Sequence, residues 1–123
     1  MKIGVRWFQI AGVLIVLQFL LGGLVSNNVI DPLSHVVLGF VVLGMVVATM
    51  VVAIASKPSS RSLIVVSGLL VLLVVLQVPL GSALLEGASD LLSAIHIANA
   101  IAILATTFAG FFVVRRWEKK NRM

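Results

Sequence analysis

The sequence predicts an all-α membrane protein, an up-down bundle of four transmembrane helices made of two parallel two-helix repeats. Three observations predict it. Hydrophobic residues fill 61% of the 123 positions and charged residues only 11%, more apolar surface than a soluble domain of this size can hide. The apolar residues fall into four stretches free of Asp, Glu, Lys and Arg. At about 1.5 Å per residue, each is long enough to cross about 30 Å of hydrocarbon. Finally, all nine Lys and Arg lie on one side of these stretches once neighbouring spans are taken as antiparallel.

The first span runs from about Trp7 to Val25, preceded by Lys2 and Arg6. It is longer than the apolar core of a signal peptide, and no small-x-small cleavage site follows, so it is expected to be retained. Asn27, Asn28, Asp31 and Pro32 mark the first connection, Ser26 to Leu33. The second span covers Ser34 to Ala55, and the connection Ser56 to Ser62 carries Lys57, Pro58 and Arg61. The third covers Leu63 to Leu85, and Gly87 and Ser89 lie in the link Glu86 to Asp90. The fourth covers Leu91 to Val114, followed by Arg115, Arg116, Lys119, Lys120 and Arg122. Links this short require antiparallel neighbours.

Basic residues near span ends stay on the inner side, so both termini are expected in the cytoplasm of a prokaryotic cell, with the chain multi-pass in its plasma membrane. Asp31, Glu86 and Asp90 take the opposite side, and Trp7 and Trp117 sit at the inner interface. The net charge of +5 thereby serves orientation rather than nucleic-acid binding, and the bilayer is the expected partner. There is no Cys, which excludes disulfides, thiolate metal sites and covalent c-type haem attachment. The chain reads as one domain, 1–123, with repeat one at about 7–55 and repeat two at about 63–114.

The repeat is visible at residue level. Val13 to Gly22 reads VLIVLQFLLG and Leu72 to Gly81 reads LLVVLQVPLG, identical at six of ten positions, including Gln18 with Gln77 and Gly22 with Gly81. Leu and Val matches carry little weight in apolar sequence; the Gln and Gly matches carry more. A histidine follows each element, His35 after 17 residues and His96 after 19, so the second outer loop is expected to be two residues longer. Small residues recur after each histidine, Gly39, Gly44 and Ala48 against Ala100, Ala105 and Ala109, allowing close approach of helices or of a flat ligand.

His35 and His96 are the chain's two histidines, each expected in about the first turn of its helix and at a common depth. Helices two and four are diagonal partners in such a bundle, so the imidazoles are placed to face each other across its core. A lone histidine near a helix end is most often an interfacial residue. Two, matched by a repeat within a membrane, point to a shared ligand. Zinc or copper requires more protein ligands than are present. Haem brings four nitrogens, so two axial histidines suffice. One haem b per chain, its iron held by His35 and His96, is therefore the expected cofactor.

Gln18 and Gln77 are read first as interhelical hydrogen bonders, with contact to a cofactor edge or a quinone as the alternative. Gly22, Gly23, Gly81 and Ser82 lie about one turn further out, where they allow close packing or leave room for a porphyrin face. No Lys or Arg lies on the outer side to meet the propionates. The helix N-termini there, with Ser34, Asn27, Asn28 and Ser93, are the candidate donors. Asn99 lies one turn below His96, its role open.

Residues 18–25, QFLLGGLV, with SHVVLG at 34–39 and AIHIANA at 94–100, resemble the haem A synthase family. The chain looks like one of the two four-helix halves of that family over nearly all its length. The resemblance implies haem ligation by His35 and His96. The family's substrate half carries a Glu three residues before the first His, where Pro32 stands here, with Asp31 one residue earlier. The outer Cys pair is missing, and Val36 replaces the Arg after the first His. The likeness is closer to the half that holds haem b as a cofactor.

The expected function is electron transfer by a small b-type haem protein, with a redox protein or a quinone as partner. One rival is a compact haem A synthase-like enzyme, acting as a homodimer, with Asp31 as its catalytic carboxylate. The other is a cofactor-free structural or assembly subunit of a respiratory complex.

Overall fold

A computed structural model describes residues 2–87 and 89–122, excepting the side chains of Lys2, Ile3, Asn121 and Arg122. Four helices account for nearly all of it: α1 Lys2–Ser26, α2 Pro32–Ala55, α3 Arg61–Leu85 and α4 Asp90–Arg122. All four are long and apolar enough to cross a membrane. In hydrocarbon no water is at hand for backbone polar groups, so each segment must satisfy its own, and the helix does so. The four expected spans lie inside these helices. α1 and α4 run further than their apolar stretches, carrying the basic flanks as continued helix. The basic side chains of Lys2 and Arg122 lie outside the described residues.

The helix ends have local causes. Asp31 caps α2, its Oδ1 accepting from the Leu33 N–H at 2.8 Å, with Pro32 in the first turn. Ser60 caps α3, its hydroxyl accepting from the Leu63 N–H at 3.2 Å. α1 ends where Asn28 turns left-handed (φ 58°). The Asn28 and Val29 N–H groups then bond the Val25 and Leu24 carbonyls at 3.0 and 2.9 Å. Gly87, at φ 83°, turns the chain after α3.

The second connection at the histidine end is not the longer one: residues 86–89 separate α3 from α4, against 27–31 between α1 and α2. The extra spacing between Gln77 and His96 instead enters α4, which starts early because Ser89 accepts from the N–H groups of Leu92 and Ser93. His96 therefore lies in the second turn of α4, whereas His35 lies in the first turn of α2.

The most extensive packing is within the repeats, α1 on α2 and α3 on α4; α2 meets α3 less, and α1 meets α4 least. Among the described residues the diagonal pairs make no close backbone approach. The closed core lies in the half nearer the basic residues. Phe8 meets Phe111 edge-on, ring centres 5.5 Å apart at 87°. Gly110 lies beneath Phe8, and Gly12 beneath Phe111, where a Cβ would strike either ring. Val46 and Thr49 of α2 and Leu63, Ser67 and Leu70 of α3 are buried at that same end. Thr49 and Thr107 return their hydroxyls to carbonyls one turn back, Met45 and Ile103, at 2.7 and 2.8 Å. The histidine half differs: among the described residues, none between 16 and 41 or between 75 and 102 is fully buried.

Candidate functional site

The site is built from two copies of one device. Gln18 Nε2 on α1 donates to the backbone carbonyl of His35 on α2 at 2.7 Å. Gln77 Nε2 on α3 donates to the carbonyl of His96 on α4 at 3.0 Å. Each bond ties a helix to its repeat partner at the histidine's own peptide, fixing the rotation at which the imidazole leaves its helix. Such interhelical bonds are worth about 0.6 kcal/mol in a bilayer, up to about 1.7. The amide approaches closely in repeat one because Gly39 lacks a side chain: a Cβ there would stand 3.0 Å from Gln18 Nε2. Repeat two has Ala100 at the matching position, and its bond is the longer of the two.

The repeated glycines lie against the rings. A Cβ on Gly22 would come within 3.0 Å of His35 Cε1, and one on Gly81 within 3.5 Å of His96 Cε1. The rings therefore occupy space that the absent side chains leave free. Gly23 and Ser82, expected with them, are exposed instead, and a Cβ on Gly23 would meet nothing within 4 Å.

The two rings converge from the diagonal helices α2 and α4, their centres 6.4 Å apart and their planes at 79°. Both are half-buried. In each, Nδ1 is buried without a hydrogen-bond partner. A buried polar atom left unsatisfied costs about 1–3 kcal/mol, so a matched pair of orphans is a feature that calls for a ligand. The residues present thus fit a group that needs two imidazoles and brings its remaining ligands itself. They do not fit a self-contained metal site: no group of three or more His, Cys, Asp or Glu is gathered among the described residues.

Polar residues at the end of the bundle are engaged locally. Asn27 Nδ2 donates to the Gly23 carbonyl at 2.7 Å, and the Ser34 hydroxyl to the Asp31 carbonyl at 3.4 Å. Asp31 is exposed and acts as the cap of α2. Asn99 gains a role that the spacing did not reveal: its Nδ2 donates to Gln77 Oε1 at 2.6 Å and to the Leu73 carbonyl at 2.8 Å. The available signal was its position three residues after His96, where repeat one has Leu38. Gln18 Oε1 consequently has no donor and is buried unpartnered.

Comparisons with family models, characterised proteins and solved structures find no match to this chain.

Proposed function

We propose that this chain is a b-type membrane cytochrome holding one haem b between His35 and His96. The observation that carries the reading is the repeat-related pair itself: two imidazoles from diagonal helices, 6.4 Å apart, each with an orphaned Nδ1. The resemblance to a haem b-holding half-bundle points the same way. Bound there, haem would supply a one-electron couple. His35 and His96 would hold the haem, their helices oriented by the Gln18 and Gln77 bonds to the histidine carbonyls and their rings given room by Gly22 and Gly81. An iron held by both histidines would have no protein-free position for oxygen, which would suit electron transfer. The electron partner is a redox protein or a quinone reaching the bundle through the bilayer. The basic end, with both termini, faces the cytoplasm of a prokaryotic cell.

Asp31 favours this reading over haem oxidation: its carboxylate serves the α2 N-terminus as a cap. The purified protein is expected to be coloured, to change its visible spectrum reversibly with reductant, and to respond little to carbon monoxide. A colourless protein that takes up no added haem would refute the proposal. A large carbon monoxide shift would refute the two-ligand site and return the enzyme reading to first place.

A further inference from the structure

At the basic end, a stripe on α4 runs from apolar to charged without a break. Phe108, Phe111, Phe112 and Arg115 line one groove of about 300 Å³ on the outside of the bundle, Phe108 three and four residues before the other two rings and Arg115 three and four after them. Phe111 is also the ring that meets Phe8, so the groove borders α1. Phe108 and Phe112 are among the most exposed large side chains, 57% and 65% accessible, and Arg115 is exposed beside them. Exposed Lys119 follows one turn on, and exposed Arg116 stands beside Arg115. α4 has 33 residues, about 50 Å of helix, so it crosses about 30 Å of hydrocarbon and carries this end into the headgroup region.

We infer that this groove binds an anionic phospholipid of the leaflet at the basic end. An acyl chain lies along the three phenylalanines, and the phosphate meets Arg115, with Lys119 and Arg116 completing the positive field. The charge complementarity selects the occupant: a guanidinium offers paired N–H donors to phosphate oxygens, and a headgroup with no cation of its own leaves the phosphate charge uncompensated for the neighbouring cations. Orientation alone requires positive charge on this side but no groove leading to it.

The test measures association of spin-labelled phosphatidylglycerol and spin-labelled phosphatidylcholine with the protein in phosphatidylcholine bilayers. The wild type is expected to favour phosphatidylglycerol several-fold. Arg115→Gln with Lys119→Gln should remove most of that preference, whereas Arg61→Gln, a basic residue at the same end but outside the groove, should leave it. Phe112→Ala should weaken retention of phosphatidylglycerol even with both charges in place. Inorganic phosphate should not displace the labelled lipid; displacement would show a free-phosphate site and overturn the assignment. Equal association of the two lipids, or equal losses in Arg61→Gln and the double variant, would reduce the basic end to a diffuse field and overturn it too.

Discussion

Gln77 Oε1 accepts from Asn99, while Gln18 Oε1 is buried with no donor because Leu38 stands in Asn99's place. The same glutamine therefore has different worth in the two repeats. Gln18→Leu removes one bond and also an orphaned acceptor, so it should cost under about 1 kcal/mol. Gln77→Leu removes the equivalent bond and strips Asn99 of a partner, so about 2 kcal/mol is expected. Detergent unfolding of the two variants measures this directly; equal costs would mean that Asn99 contributes nothing through Gln77. Both glutamines were legible in the sequence as matched polar residues in apolar runs. Their acceptor was not: the choice of a histidine carbonyl depends on how two helices are rotated, which spacing along one chain does not record. Asn99 was harder still, since the repeat that reveals the glutamines has no counterpart for it.

Between elements, the repeated glycines set how closely each helix pair approaches its histidine. Gly22→Ala places a methyl 3.0 Å from His35 Cε1, so the ring or α1 must move; Gly81→Ala places one at 3.5 Å, an ordinary contact. Gly22→Ala should therefore destabilise by about 1–3 kcal/mol and loosen haem, and Gly81→Ala by less than about 1 kcal/mol. Unfolding midpoints and haem retention of the two variants test the asymmetry, and an equal response would contradict it. The spans themselves were plain, because apolar length is nearly sufficient to specify a membrane helix. The α4 start is not legible from spacing, which places the two extra residues between Gln77 and His96 in the link. The Ser89 cap draws them into helix instead, leaving His96 a turn deeper from its helix start than His35.

Among the described residues, the basic ones gather at the end with the tight Phe8–Phe111 core, and the histidines at the end where none is fully buried. The repeat made the diagonal placement of His35 and His96 legible. The difference in packing between the two halves was not legible, because Leu and Val populate both ends of every span and composition does not distinguish them. The charge distribution predicts that tags at both termini are protected from protease in intact, right-side-out cells. Cleavage of either tag would contradict four spans with a cytoplasmic basic end.

His35 and His96 are proposed to hold one iron between them. Electron paramagnetic resonance of the ferric protein reads the ligands, on the wild type and on His35→Ala and His96→Ala. The wild type should give a low-spin signal. Each single variant should lose it, by turning high-spin and carbon-monoxide-reactive or by losing haem, and the double variant should insert normally but be colourless, since insertion follows apolar length. Retention of the wild-type low-spin signal in both single variants would rule out ligation by this pair.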